Sequence, residues 1–352
     1  MKLLSKILIT FIFSIIIHPA TAQVINECGT PSSSSDFLKR IPSGQVLSFP
    51  NTKVLKLYLV IYSDDDGSNL AIDENTLKRE IKFTDSVFNI GDICFSIVGI
   101  EYRMSTYYNN TVYGVTDYTP QKKTGVFNAF VVKTISDGVF GYSNVISDRI
   151  VIKEIGFGAR RTFIHELGHA LGLDHTFKGT AHDPDNTGTD ELVNGTNGTT
   201  AGDFVTDTPA DPYNRCGTGI SSCSFPYVAP DCADANNSSY SPQMTNYMGY
   251  WPNYGCNRTV FTAGQYTRMR NGIDNNATLS NLLATDNGTY SNATISSGII
   301  AEAKKISITI NNYTINGNTN AVFSAGYINL LPNSTFRPGA LGIVQLLGSY
   351  CY

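Results

Sequence analysis

Histidine and charge are both scarce in this chain. Only five of its 352 residues are histidine, and charged side chains make up 15% of it. Lys and Arg number 25 against 29 Asp and Glu, and they form no basic patch, so no nucleic-acid partner is expected. One histidine, His18, lies near the amino terminus, and three others fall within the short segment His165–His175. That concentration indicates one shared site rather than scattered surface histidines.

Long apolar runs are also missing after residue 22, so we expect no membrane span in the mature protein. Residues 1–22 have the pattern of a secretory signal peptide, with Lys2 and Lys6, an apolar run over Ile7–Ile17 and the A-x-A site Ala20–Ala22. Its removal would leave 23 basic against 29 acidic residues, a formal charge of −6. The predicted location is extracellular, secreted or associated with the cell surface.

The segment His165–His175 reads H-E-x-x-H-x-x-G-x-x-H. His165 and His169 are four residues apart, so on a helix they share a face and can bind one ion. Gly172 allows the sharp turn that returns His175 as a third ligand. Three neutral imidazoles leave one position open for water, which is typical of catalytic zinc. Glu166 is placed to act on that water as a general base.

A methionine follows in the segment Met244–Tyr250. In zinc proteases with this extended histidine motif, a methionine turn downstream of the zinc-binding helix is the second part of the sequence signature. We expect Met248 to form an apolar floor beneath the three histidines. The phenol of Tyr250, two residues later, is predicted to stabilise the oxyanion that develops during hydrolysis.

These residues resemble the pappalysin-type metzincin zinc endopeptidases, in particular the secreted bacterial, cytophagalysin- and ulilysin-like branch. The resemblance covers roughly residues 50–275. It is most specific in the zinc helix and the methionine turn. The segments that carry it are His165–Phe177, Gly202–Ala210, Met244–Tyr250, Phe261–Gln265 and Arg268–Met269.

The resemblance implies an upper and a lower subdomain with zinc in the cleft between them, and endopeptidase activity. It also implies structural calcium in the lower subdomain, with Asp203 and Thr208 as ligand candidates. The loop offers the carboxylates of Asp203, Asp207 and Asp211, and calcium prefers oxygen ligands. A solvated acidic loop without calcium is the alternative.

Seven cysteines fit an exported protein in which disulfides persist. Cys94 lies in an apolar stretch and is predicted to be a buried thiol. Four others surround the methionine turn and would form two disulfides in any of three pairings, or else a structural zinc site: Cys216, Cys223, Cys232 and Cys256.

Cys28 precedes the zinc motif in a polar segment. Its thiolate would be a strong fourth zinc ligand and would keep the enzyme latent. The odd number of cysteines is compatible with one unpaired thiol, although a disulfide to Cys94 or Cys351 is an equal alternative. Lys39–Arg40 and Lys53 are basic sites at which proteolysis could release the segment.

The pattern of apolar residues predicts an α+β fold. Residues 1–22 are assigned to the signal peptide, 23–50 to a propeptide or linker, 51–284 to the metzincin-type domain and 285–352 to a small all-β domain. Residues after 285 show no internal repeat strong enough to predict a solenoid. Strands are expected over Lys53–Ser63, Ile93–Tyr102, Phe127–Ile135 and Arg149–Ile155, and helices over Glu74–Asn89, capped by Asp73, Arg161–Leu171 and Thr262–Gly272.

The sequence therefore predicts a zinc endopeptidase that acts on proteins or peptides, with zinc and calcium as its metals. Two alternatives stay open: a zinc hydrolase of a non-peptide amide, and a secreted binding or adhesion protein that retains the fold. An intact Glu166 disfavours the second, because a structural zinc site needs no general base. Cleavage preference and oligomeric state are not encoded in any pattern we recognise.

Overall fold

Five strands and three helices account for most of the architecture around the histidine motif. The computed structural model describes residues 28, 30, 52–158, 161–179, 189–213, 222–228, 230, 232–325, 327–340 and 342–348. The predicted signal peptide, most of the predicted propeptide or linker, and both Cys216 and Cys351 lie outside these residues.

The helices and strands follow the expected order, with small differences at their ends. The helices are α1 (Glu74–Phe88), α2 (Thr106–Asn109), α3 (Thr162–Ala170), α4 (Ala263–Asn275) and α5 (Ala277–Ser280). The strands are β1 (Lys53–Ser63), β2 (Ile93–Met104), β3 (Asn110–Thr111), β4 (Phe127–Val132), β5 (Thr134–Ile135), β6 (Gly141–Ser143), β7 (Arg149–Lys153), β8 (Thr285–Ala325), β9 (Tyr327–Leu330), β10 (Thr335–Pro338) and β11 (Ile343–Gly348).

The main sheet has the strand order β2-β1-β4-β7-β6. Its first four strands are parallel, and β6 pairs antiparallel with β7 at the end of the sheet. Parallel strands are buried on both faces and alternate residues point to opposite sides. In β1, one set of residues packs beneath the helices, Leu55, Leu57, Leu59 and Ile61, and the other packs on the far face, Val54, Tyr58, Val60 and Tyr62.

The helices cover one face of this sheet and form a single hydrophobic core with it. Helix α1 starts where the Asp73 carboxylate accepts a hydrogen bond from the Thr76 N–H, as predicted. The core joins the sheet to apolar side chains from the three long helices, which are Leu77, Ile81, Phe163, Ile164, Leu167, Met269 and Ile273. This packing joins α3 and α4 to the sheet in one core.

The carboxy-terminal strands differ from the sequence expectation, because they stack in parallel at nearly constant sequence separation. Ser307 pairs with Tyr327, Thr314 with Thr335 and Asn320 with Ile343, which are separations of 20, 21 and 23 residues. Side chains also bond at a separation of 20, as in Asn312 to Asn292. The chain therefore coils like a short β-solenoid. The repeat was missed because it rests on a few buried apolar positions and not on a residue motif.

The disulfide pattern agrees with the prediction for one cysteine pair and differs from it at Cys94. Cys223 and Cys256 form a disulfide, which is one of the bridges that the sequence allowed. Cys232 is also disulfide-bonded. The prediction that Cys94 is a buried thiol was wrong, because this fully buried residue is disulfide-bonded as well. Cys28, in contrast, is a free cysteine.

Two further observations concern the ends of the catalytic region. Lys53 opens β1 and its ammonium pairs with Asp274, so proteolysis at Lys53 would cut into the central sheet. This argues against Lys53 as a release site. Among the helices in the described part of the chain, none is long and apolar enough to cross a bilayer.

Helix α4 depends on its cap, and this generates a first prediction. The Thr262 hydroxyl accepts from the Gln265 N–H at 3.2 Å and donates to Asp207 Oδ1 at 2.7 Å. Thr262→Ala should lower the free energy of unfolding by about 1–2 kcal/mol, since both bonds are lost. Urea denaturation measures this, with Thr262→Ser as the control that keeps the hydroxyl. Equal losses in the two variants would contradict the role of the cap.

Candidate metal centre

Helix α3 places His165 and His169 on one face, and both side chains are fully buried. The helix ends at Ala170, and Gly172 adopts a φ of +107°, a conformation that residues with a Cβ rarely adopt. The Leu173 N–H returns to the Gly168 carbonyl across this turn. The chain then reverses and brings His175 back to the other two histidines, as the spacing predicted.

Backbone carbonyls fix the ring orientation of two of these histidines. His165 Nδ1 lies 2.6 Å from the Tyr247 carbonyl oxygen, and His169 Nδ1 lies 2.8 Å from the Leu173 carbonyl oxygen. Since a carbonyl only accepts, both Nδ1 atoms carry the proton. Burial lowers the pKa of His169 to about 3 and that of His165 well below its usual range, so both rings are neutral.

The Nε2 atoms of His165 and His169 therefore present lone pairs to each other. They lie 3.1 Å apart, and His169 Nε2 is also 3.1 Å from His175 Nε2. Two facing lone pairs repel each other unless a cation lies between them. Zinc with Zn–N bonds of about 2.0–2.1 Å in tetrahedral geometry would place its nitrogens roughly 3.3–3.4 Å apart. The residues present fit a zinc ion.

Three successive carbonyls of the methionine turn are held by surrounding groups. The Tyr247 carbonyl accepts from His165 Nδ1, and the Met248 carbonyl accepts from the Thr176 N–H at 3.2 Å. The Gly249 carbonyl accepts from Arg258 Nε at 3.1 Å and Nη2 at 2.8 Å. The turn and the histidine motif are thus joined through the backbone.

Met248 packs against the histidine helix at Gly168, a glycine that the sequence reasoning missed. A Cβ at Gly168 would lie 2.5 Å from Met248 Sδ, so a larger residue at this position would displace the Met248 side chain. A glycine inside a helix costs about 1 kcal/mol relative to alanine. A glycine inside a predicted helix is therefore unusual, and this feature of the sequence could have identified Gly168.

Arg258 is a second residue that the sequence did not reveal. Its side chain is 2% exposed, and a lone arginine in a polar segment is typical of a solvated surface residue. Its positive charge adds to burial in lowering the pKa of His165, His169 and His175. Neutral imidazole is the form that binds a metal ion, so burial and this charge together keep the three rings in the form that can act as ligands.

Glu166 is fully buried beside the histidines. Its Oε2 accepts from the Thr30 hydroxyl at 2.8 Å, whereas its Oε1 has no partner within the described residues. Burial raises the pKa of Glu166 to about 7, and the hydrogen bonds from Cys28 and Thr30 oppose that shift. A carboxyl with a pKa near neutrality can both accept and return a proton.

Cys28 lies in the same cluster. One ligand atom from each of Cys28, His165, His169 and His175 lies within 4.8 Å of all the others, and all four residues are buried. Burial, followed by the charge of Glu166, raises the pKa of the Cys28 thiol. A bound cation would act in the opposite direction and favour the thiolate.

Cys28 and Thr30 both contact the end strand β6. Cys28 forms a parallel bridge with Gly141, and the Ser143 N–H donates to the Thr30 hydroxyl at 2.7 Å. Tyr250 donates its phenol hydrogen to the Cys28 carbonyl at 3.0 Å. The segment thus contacts the strand, Glu166 and Tyr250 together.

Aromatic rings surround the third histidine. His175 stacks on Phe177 at a centroid distance of 4.7 Å, and Phe177 stacks on Tyr213 at 4.6 Å. The Tyr250 ring lies 4.8 Å from His175. The Asp211 carboxylate stabilises this group of rings, because it accepts hydrogen bonds from the Thr176 hydroxyl at 2.6 Å and from Trp251 Nε1 at 2.9 Å.

A second cluster of buried oxygens lies in the loop that was predicted to bind calcium. Glu191 Oε2, Asp203 Oδ2 and Thr208 Oγ1 are buried and find no hydrogen-bond partner in the described part of the chain. Glu191 belongs to this cluster because a Cβ at Gly202 would lie 2.4 Å from its Oε2. Burial raises the pKa of both carboxyls, and the charge of Asp203 raises the pKa of Glu191 further. The sequence reasoning missed Glu191, which lies outside the loop.

The other two acidic residues of that loop have different roles. Asp207 accepts from the Thr262 hydroxyl and from the Gly264 N–H at the start of α4. Asp211 bonds to Thr176 and Trp251 as described above. Asp207 and Asp211 thus use their carboxylates for hydrogen bonds within the protein, whereas Asp203 Oδ2 has no such bond in the described residues.

Comparison with known proteins agrees with this arrangement. Residues 151–274 match the family model described as Peptidase_M43: Pregnancy-associated plasma protein-A. An extracellular metalloprotease of Colletotrichum graminicola is 26% identical over 283 residues, which cover 71% of this chain and 91% of that protein. An extracellular metalloprotease of Arthroderma benhamiae is 23% identical over 261 residues, or 67% and 79% of the two chains. A solved structure of mirolysin with compound 9 aligns with a TM-score of 0.43 at 18% identity, over 63% of this chain and 91% of that one.

The histidine motif, the α+β fold and these relatives define a metzincin metalloendopeptidase. Within that class, the segment 151–274 is similar to the pappalysin family model.

Proposed function

We propose that this protein is a secreted zinc endopeptidase in which His165, His169 and His175 hold the metal. The observation that carries the proposal is the pair of facing, unprotonated Nε2 atoms of His165 and His169, which only a cation reconciles. When bound, zinc polarises the scissile carbonyl and lowers the pKa of its water. The leader over residues 1–22 and the relatives named extracellular support secretion.

The remaining chemistry falls to the protein side chains. Glu166 takes the proton of the attacking water and passes it to the leaving amine. Tyr250 donates its phenol hydrogen to the developing oxyanion once that hydrogen leaves the Cys28 carbonyl. Strand β6 is the proposed platform for an extended peptide, since Cys28 and Thr30 already bond to it.

We also propose that Glu191, Asp203 and Thr208 bind calcium. Their partnerless buried oxygens support a hard cation, because burying such groups without a partner is costly. Two adjacent carboxyls with raised pKa values are likewise stabilised by a positive ion between them. The proposal keeps the two residues expected from the sequence and adds Glu191.

The free and buried state of Cys28 supports latency through its sulfur. The thiolate would take the fourth zinc position and exclude the catalytic water. Thr30 adds a second block in this proposal, because its hydroxyl holds the Glu166 carboxylate. Removal of the segment would release Glu166, Tyr250 and β6 at once.

The first test of the function concerns Glu166. In processed enzyme, Glu166→Gln should retain zinc and lose about 10²–10⁴-fold in casein hydrolysis, since the ligands are untouched and the base is lost. His175→Ala is the complementary variant and should lose zinc itself. Zinc content and digestion with and without a chelator measure both. Residual turnover above about a tenth of the parent would refute the general base. A folded parent that leaves casein intact would favour a binding protein or another amidase.

The calcium proposal predicts a pH-dependent stabilisation. The pKa values of Glu191 and Asp203 are raised on folding, so without calcium the folded state is stable at low pH and is destabilised as pH rises above about 4. Calcium removes that penalty, so its increase in Tm should be larger at pH 8 than at pH 5. Differential scanning fluorimetry with zinc saturating measures this. Asp203→Asn should abolish the calcium effect, and an equal effect at both pH values would contradict the assignment.

The latency proposal predicts a lag that depends on one sulfur. The chain purified from Gln23 should show delayed activity, whereas Cys28→Ala should be active at once. In cobalt-substituted protein, the parent should show a thiolate-to-metal absorption band that Cys28→Ala lacks. Thr30→Ala should shorten the lag but keep the band. Equal lags in the parent and Cys28→Ala, or a parent without the band, would rule out the sulfur switch.

A further inference from the structure

Arg268 on helix α4 contacts the backbone at two functional loops. Its side chain is completely buried. Its Nε donates to the Gly172 carbonyl at 3.0 Å, and its Nη1 donates to the Phe204 carbonyl at 3.2 Å. Gly172 is the turn that returns the chain to His175. Phe204 follows Asp203 directly and has a φ of +62°, so its carbonyl belongs to the loop with the partnerless oxygens.

The same face of α4 approaches the histidine turn a second time. Gly272 lies one helical turn after Arg268, and a Cβ there would lie 2.5 Å from the Leu171 carbonyl oxygen. The backbone of Leu171 and Gly172 is therefore seated directly on α4. This close packing leaves the turn little freedom to move independently of Arg268.

The guanidinium suits this position chemically. A planar group with several fixed donors can bond two carbonyls at once, which a lysine ammonium on a flexible stem does poorly. Burial lowers the pKa of Arg268, and the charges of Asp174 and Asp203 act against that shift. Asp174 directly precedes His175 in the sequence, and Asp203 directly precedes Phe204, so one carboxylate lies at each of the two loops. Arg268 is thus tied to both loops by charge as well as by hydrogen bonds.

We infer that Arg268 is a positioning residue that couples the Asp203 loop to the third histidine. In this inference, an ordered Asp203 loop fixes the Phe204 carbonyl, and this carbonyl orients the Arg268 guanidinium. The guanidinium then fixes the Gly172 carbonyl and so the path of the backbone that leads to His175. The inference rests on the proposed function, in which His175 holds zinc. A consequence of this coupling is that calcium bound in the Asp203 loop slows the loss of zinc from the histidine site.

The experiment compares two buried arginines of the same helix. Arg270 donates to the Gly91 and Asp92 carbonyls, on a loop that carries none of the proposed metal ligands, so Arg270→Lys is the matched control for Arg268→Lys. Zinc release from the full chain to a chromogenic chelator is followed with calcium chloride present and after treatment with a calcium-selective chelator. Thermal melting is recorded for each variant.

With calcium present, Arg268→Lys should release zinc about 10–100-fold faster than the parent, which is the usual effect of removing a group that orients a metal ligand. Arg270→Lys should release zinc at the parental rate even if its Tm falls as far. Calcium removal should speed release in the parent and in Arg270→Lys, but should add little in Arg268→Lys. If the lysine variant does not fold, Arg268→Gln, which keeps one neutral donor, takes its place.

Two outcomes would overturn the inference for different reasons. A zinc-loaded parent with unchanged release in Arg268→Lys, or equal acceleration in Arg270→Lys, would refute the positioning role alone. A folded parent that holds no zinc, or that holds it equally well after His175→Ala, would refute the proposed function and the inference with it.

Discussion

The neutral, Nδ1-protonated state of the histidines is the constraint on which the rest of the site depends. His165 and His169 turn their Nε2 lone pairs inward only because backbone carbonyls accept from the opposite side of each ring. One of those carbonyls belongs to the methionine turn and the other to the turn at Gly172. The site is therefore held by backbone geometry, and the Arg258 side chain and the Thr176 N–H act mainly by holding the backbone of the methionine turn in place.

The contacts of Cys28 and Thr30 involve the groups to which we assign roles in proteolysis. Strand β6, the Glu166 carboxylate and the Tyr250 phenol each bond to this short segment. The three contacts are made by backbone, hydroxyl and carbonyl groups, so they do not depend on a metal–sulfur bond. A substrate peptide that takes this position must replace all three contacts. The amino-terminal segment must therefore leave the strand before a substrate can bind there.

Local signals explain why much of this fold could be predicted from the sequence. The bounds of β1, the Asp73 cap of α1 and the Thr262–Gln265 capping box at the start of α4 are each indicated by residues close together in the sequence. The spacing of the histidine motif likewise encodes its own turn. Glu191 and Arg258 could not be predicted, because their roles arise from contacts with distant segments and each alone resembles a surface residue. Cys94 was misassigned for the same reason, since burial in an apolar strand suits a thiol and a disulfide equally.

The coiled stacking of residues 285–348 has a consequence for how this region folds. Each coil pairs with the chain only 20 to 23 residues away, so its stability is approximately a sum of contributions from neighbouring coils. The coils meet the main sheet where the buried hydroxyls of Ser96 and Ser324 lie 2.7 Å apart. The sheet therefore supplies a template at one side of the stack. Hydrogen exchange would spread inward from the last coil, with the slowest amides beside β2.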